Sequence, residues 1–242
     1  MSGHSKWATT KRQKAVVDAK KGAIFTKLSN LITLAVREKG ADPATNFSLR
    51  MAIDKAKAVN MPKDNIERAI KKGTGESGGA VIEELYYEGF GPANSQFIVK
   101  CLTDNKNRSA STVRHDFTKH GGSWGAVMWN FEKKGVIRIE MRIINELKTN
   151  LDELELELID IGADDIERED EGITITTKVE DLQKIKEFLE KKKLEVAGAE
   201  IEYVAKDKQE VSDPENREKI EKFIEDLDDN EDVSDYYTNV NI

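Results

Sequence analysis

Apolar positions in the first third of the chain recur at three- and four-residue steps. Phe25, Leu28, Leu31, Ile32, Ala35 and Val36 fall on one face of a helix, which Gly40 stops with Pro43 just beyond. Phe47, Leu49, Ala52, Ile53, Ala56 and Val59 predict a second helix. Ile66, Ala69 and Ile70 predict a third, opened at Asn60-Met61-Pro62 with Pro62 in its first turn and ended at Gly73. Three such faces suffice for a small shared core with the lysines turned outward. Residues 9–21 fit either a further helix with a thin apolar face or an arm that orders on a partner.

Past glycines 73, 75, 78 and 79 the pattern changes to β-branched and aromatic runs. Residues 85–88 and 97–102 predict strands, with Gly89-Phe90-Gly91-Pro92 as the tight turn between them. Residues 108–120 fit a helix carrying Ala110, Val113 and Phe117 on one face, closed by Gly121-Gly122. Val127, Trp129 and Phe131 alternate, Lys133-Lys134-Gly135 interrupts, and Val136, Ile137 and Ile139 resume, which predicts a hairpin. Residues 151–161 satisfy both a two-residue and a helical period; the Glu and Leu content favours helix. A hairpin over 166–169 and 173–178, a helix over 180–192 and a strand over 200–205 complete an order similar to a ferredoxin-like half-sandwich. The tail predicts a helix over 214–227 and a strand over 233–240, packed back on the first α+β unit.

The fold class expected is therefore α+β and multidomain, an N-terminal all-α helical domain followed by two α+β (ferredoxin-like) domains. Residues 1–75 form a basic arm and helical domain, 76–137 with 206–242 one α+β domain, and 138–205 an inserted one.

Composition adds a polarity to this order. The 242 residues carry 38 Lys and Arg against 46 Asp and Glu, a net charge of −8. Up to Gly75, however, sixteen bases face six acids, a balance of +10, while 22 bases and 40 acids leave the remainder at −18. Such segregation points to a polyanion partner for the basic part. No apolar run approaches the ~20 residues of a membrane span, so no membrane partner is expected. The opening MSGHSKWATTKRQKAVV is basic but is followed by no apolar signal core, and a cytoplasmic arm is the expectation.

Candidate chemistry is sparse. The stretch from Gly73 to Gly79 lacks the Lys-Ser/Thr of a phosphate-binding loop. His115 and His120 are five residues apart, off the four-residue step of a helical ligand pair, and the lone Cys101 lies in an apolar strand. The acids between Glu225 and Asp232 lack the glycine and final glutamate of a calcium loop. No metal and no small-molecule cofactor is expected. An enzyme reading would have to use the polar turn Asp104, Asn105, Arg108 with His115, at a helix N-terminus that could hold an anion.

The basic front is the stronger signal. Lys6, Lys11, Arg12, Lys14, Lys20 and Lys21 lie within sixteen residues with Trp7 among them, and Lys55, Lys57, Lys63, Arg68, Lys71 and Lys72 form a second patch. Lysines that neutralise phosphates release counterions, and Trp7 could stack on an unpaired base. These residues, with His4, are the candidate nucleic-acid contacts of a non-enzymatic regulator, expected to be a monomer. Lysine in excess of arginine favours backbone contact over base reading.

Several blocks are recognisable. Gly3-His4-Ser5-Lys6-Trp7, Lys20-Lys21-Gly22-Ala23-Ile24-Phe25-Thr26-Lys27-Leu28, Met61-Pro62-Lys63-Asp64-Asn65-Ile66, Tyr87-Glu88-Gly89-Phe90-Gly91-Pro92 and Thr103-Asp104-Asn105-Lys106-Asn107-Arg108 resemble the YebC/PmpR family over essentially the whole chain. The resemblance implies three domains and a cytoplasmic DNA-binding transcriptional regulator. It equally implies an alternative: some members, among them a mitochondrial translational activator, act on ribosomes and ribosomal RNA and help synthesis through proline runs. The chain opens on the family's first block, so no mitochondrial presequence is expected. Ala8-Thr9-Thr10 departs from the Ile-Lys-type stretch usual in the family.

Overall fold

Helices at the front of the chain bury the faces their periodicity defines. The computed structural model describes residues 21–76 and 81–241. In it α1 spans Lys21–Lys39, α2 Phe47–Ala58 and α3 Lys63–Thr74. Ile32, Ala35 and Val36 of α1, Leu49, Ala52 and Ala56 of α2, and Ile66 and Ala69 of α3 share one core. Asn46 joins the first two: its side chain accepts from Leu49 N to cap α2 and donates to Ala35 O and Gly40 O, both at 2.7 Å. Pro62 occupies the cap of α3 rather than its first turn. Gly73 lets α1 and α3 touch, since a Cβ there would stand 2.6 Å from Val36 Cβ and 2.8 Å from Thr33 O. The helix or arm expected over residues 9–21 lies outside the described residues but for Lys21.

The described residues form two compact units, 21–127 with 212–236 and 128–211 with 237–241. Besides the three helices, the first unit holds a four-stranded sheet. Its strands are β1 (Glu83–Phe90), β2 (Gln96–Thr103), β3 (Ser123–Trp124) and β9 (Val233–Thr238), in the order β3-β1-β2-β9. β1 and β2 are antiparallel, with Leu85 opposite Cys101 and Gly89 opposite Phe97. Gly89 and Phe90, expected in a turn, extend β1; the missing Cβ at Gly89 makes room for the Phe117 ring and Ser123 O. α4 (Lys106–Lys119) and α8 (Pro214–Asp229) pack on this sheet. Phe97, Phe117 and Phe223 meet edge to face there, with ring centroids 4.9 Å apart on either side of Phe223.

The second unit corrects one expectation outright. No hairpin forms over 127–139. Met128–Asn130 is a short 3-10 turn and β4 runs unbroken from Phe131 to Glu140. Gly135, read as a turn residue, instead admits the helix that starts at Leu182, because a Cβ would lie 2.9 Å from Leu182 Cβ and from Thr177 Cγ2. β4 pairs with β7 (Gly198–Ala205) from Phe131 to Arg138 and with β6 (Gly172–Thr177) from Gly135 to Glu140. The second sheet thus begins at Phe131, ahead of the boundary expected at Arg138. Trp129, expected on the strand, is 62% exposed on the turn.

The remaining elements are α5 (Met141–Glu146), α6 (Leu151–Asp160), β5 (Ala163–Arg168), α7 (Leu182–Lys191), β8 (Gln209–Glu210) and β10 (Val240–Asn241). The sheet order is β5-β6-β4-β7, all antiparallel, while β10 runs parallel to β8. The helical period wins over 151–160: Asn150 accepts from Asp152 N as a cap, and Leu154 and Leu158 enter a core with Ile137, Ile139, Ile173, Ile175, Leu182, Ile185 and Leu189. On the opposite sheet parity Arg138 and Glu202 form a buried fork, Nη1–Oε1 at 2.6 Å and Nη2–Oε2 at 3.0 Å.

Candidate nucleic-acid interface

The cationic residues of α2 and α3 are turned outward by what those helices bury. In α3 the buried positions are Ile66, Ala69 and Gly73, so Arg68 and Lys71 are exposed and Lys72 is half-buried at the edge. Lys63 is exposed and bridges Glu67 at 3.4 Å. In α2, Lys57 is exposed and Lys55 half-buried. Lys55, Lys57, Lys71 and Lys72 sit in last turns, where the helix dipole favours positive charge. Arg37 and Lys72 line a shallow open cleft between the ends of α1 and α3. Lys21 is exposed at the start of α1. Among the described residues, no carboxylate stands within ion-pair range of Lys57, Arg68, Lys71 or Lys72. His4, Lys6, Trp7, Lys11, Arg12, Lys14 and Lys20 lie outside the described residues.

Other bases of the front third serve docking instead, which sequence spacing did not reveal. Lys27 Nζ donates to Asp228 O at 2.5 Å. Burial lowers its pKa against the opposing pull of Asp228, Asp229 and Asp235. Asn30 donates to Leu102 O at 3.3 Å and Arg37 to Ile82 O at 3.2 Å. Through backbone carbonyls these three side chains attach α1 to α8, to β2 and to the residue that precedes β1. The signal available in the sequence was Lys27 itself, which falls on the same face as Leu31 and Leu34 rather than opposite them.

Two carboxylates of the acidic tail, Asp226 and Asp232, engage α4 and its C-cap, while Glu215 and Glu218 pair with Lys219 and Lys222 within α8. Lys119 Nζ reaches Asp226 Oδ2 at 2.5 Å and His120 Nε2 lies 2.6 Å from the same oxygen, which holds the Asp226 carboxyl below its ordinary range. Arg108 donates from Nε and Nη2 to Asp232 at 2.9 and 2.6 Å, and from Nη2 to Asp104 at 3.1 Å. The guanidinium consequently holds its proton still more firmly than usual. Asn105 caps α4, its Oδ1 accepting from Arg108 N. The turn considered for an enzyme therefore brings Asp104, Asn105 and Arg108 together, but as a closed ion-pair network. His115 stands apart from it, exposed on α4.

Cys101 is fully buried and its thiol is pushed up to about 12, first by burial and then by the Asp232 charge. It will not react with iodoacetamide in the native protein at neutral pH and will react once the protein is unfolded in denaturant. Labelling in the folded protein, followed by mass spectrometry, would refute this. Among the described residues no group of three His, Cys, Asp or Glu could hold a metal ion, and no helix is long and apolar enough to cross a membrane.

A mixed α/β protein with antiparallel sheets and an outward-facing set of cations on its leading helices is thus defined. Residues 5–76 match the TACO1/YebC N-terminal domain and residues 82–240 the TACO1/YebC second and third domain. The chain belongs to the TACO1/YebC family, as its recognisable blocks indicated. It is 50% identical over 245 residues to a protein of Thermoanaerobacter pseudethanolicus named probable transcriptional regulatory protein, covering 100% of this chain and 98% of that one. A protein of the same name in Caldanaerobacter subterraneus is 47% identical, covering 100% and 99%. The crystal structure of a conserved hypothetical protein from Aquifex aeolicus superposes with a TM-score of 0.83 at 40% identity, covering 94% of this chain and 93% of that one.

Proposed function

We propose that this protein is a non-enzymatic, cytoplasmic transcriptional regulator that binds DNA through its cationic front, acting as a monomer without a small-molecule cofactor. The observation carrying this reading is the set Lys57, Arg68, Lys71 and Lys72, at the surface of two successive helices and unmatched by carboxylates among the described residues, while Asp226 and Asp232 of the tail are engaged by Lys119, His120 and Arg108. The names of the relatives support the regulatory role. Within this reading the helical domain leads two ferredoxin-like domains. For the second, the order β4-α5-α6-β5-β6-α7-β7 with strands arranged β5-β6-β4-β7 supports that assignment.

Affinity for mixed-sequence duplex DNA, measured against salt, should give a log–log slope of several negative units, about 0.9 per phosphate contact. Reversing Arg68, Lys71 and Lys72 to Glu should weaken binding on all sequences alike and flatten the slope by about 2–3 units. A flat slope in the wild type would end the reading. The alternative is a ribosome-binding translation factor acting at proline-rich stalls, which Trp7 beside Lys6 favours, since an indole stacks on unpaired bases of structured RNA. Sedimentation of cell lysate separates the two: recovery with ribosomes supports translation, and absence from those fractions excludes it.

A further inference from the structure

We infer that the outward face of α4 is a second contact for a nucleic-acid phosphate backbone, centred on Arg114. This inference rests on the nucleic-acid reading above and adds a surface in the part of the chain whose overall charge is negative. Between Gln96 and Gly122 five Lys and Arg stand against only two acids, Asp104 and Asp116. The tail covers one flank of α4, where Asp226 takes Lys119 and His120, Asp232 takes Arg108, and Asn230 donates to Asp116. The other flank carries Ser111, Arg114, His115 and Thr118, all exposed and spaced so that they line one stripe of the helix. Among the described residues no carboxylate forms an ion pair with Arg114 or His115.

Arg114 is also pre-oriented. Its guanidinium carbon sits 4.2 Å from the centroid of the Trp124 ring. Trp124 in turn stacks on Tyr87, with centroids 5.3 Å apart and planes at 24°. Tyr87 is fixed by the 2.8 Å hydrogen bond between its hydroxyl and Ser109 Oγ. A guanidinium held over an indole face on an exposed helix position keeps N–H donors available to solvent, in the fork that matches two phosphate oxygens. Holding it there before binding removes much of the side-chain entropy that capture would otherwise cost. The Ser111 hydroxyl and the His115 ring add short polar groups of the kind that complete phosphate contacts, whereas Thr118 Oγ1 donates back to Arg114 O and His115 O. Their chemistry suits a backbone held in position rather than a base being read.

The test uses the full chain, a mixed-sequence duplex DNA and a structured RNA hairpin, each titrated with salt. Arg114→Ala should lower affinity for the bound nucleic acid about 3–10-fold and flatten the salt slope by about one contact. Arg114→Lys should keep the slope yet bind more weakly than wild type, since an ammonium on a flexible stem does not lie flat on Trp124. Because Arg114 is exposed, unchanged circular dichroism is expected in both variants. Affinity and slope unchanged in Arg114→Ala, while reversal of Arg68, Lys71 and Lys72 still weakens binding, would overturn this inference and leave the broader reading intact. Wild-type protein that binds neither probe would remove both. An Arg114→Lys variant equal to wild type would overturn the pre-orientation by Trp124. Unaltered nucleic-acid binding with weakened retention on phosphatidylserine vesicles would reassign the face to a membrane and overturn the inference as well.

Discussion

Truncating Phe223 to alanine is expected to destabilise the unit containing α4 and α8 by about 3–5 kcal/mol. The side chain is fully buried, touches Phe97 and Phe117 edge to face, and lies beneath His120 at a centroid distance of 5.6 Å. Its removal loses both the transfer energy of the ring and its packing against the Phe97, Phe117 and His120 rings, which line the space left behind. The consequence reaches the charge distribution. α8 carries Asp226 and Asp228, so loosening it weakens the hold on Lys119, His120 and Lys27. Hydrogen exchange should show lost protection in residues 96–103 and 106–119, with 163–177 in the other unit little changed. Equal loss in both units, or none in either, would contradict this account.

The second large effect concerns Glu202. Its carboxylate and the Arg138 guanidinium form two parallel hydrogen bonds with side-chain exposures of only 6% and 12%. Glu202→Ala leaves a guanidinium charge buried beside the sheet without its fork partner, at a cost of about 3–5 kcal/mol. The paired replacement Arg138→Met with Glu202→Leu should recover most of that loss, because the penalty arises from an uncompensated charge and not from the absence of an ion pair. Urea unfolding compared between the single and paired variants decides it. A single variant within about 1 kcal/mol of wild type would show that the fork is solvated in practice.

Local pattern made much of this protein legible. Phe25 to Val36, Phe47 to Val59 and Ile66 to Ile70 mark the faces that α1, α2 and α3 bury, because a helix face depends only on residues three and four apart. The same holds for Leu154 and Leu158, where the helical period prevailed over the alternation of Glu and Leu. The run from Val127 to Ile139 was illegible for a different reason. Gly135 reads identically whether it makes a turn or admits a neighbour, and only Leu182 and Thr177, remote in sequence, separate the two. Trp129 was misplaced with it, since alternation implies burial only if the strand extends that far.

Charge followed the same division. That the front carries an excess of cations, and the remainder an excess of anions, is a property of composition and needed no coordinates. Which cations face outward was a tertiary decision: Lys27 turns in to Asp228 O while Arg68 and Lys71 turn out, and Arg114 acquires its orientation from Trp124. The amino-acid order by itself determined the helices, most strands, the family and the segregation of charge, because periodicity and composition are local or additive quantities. The tertiary structure alone decided strand partners, the role of each glycine and the pairing of each charge, because those depend on which distant residues meet, and no short-range pattern encodes that meeting.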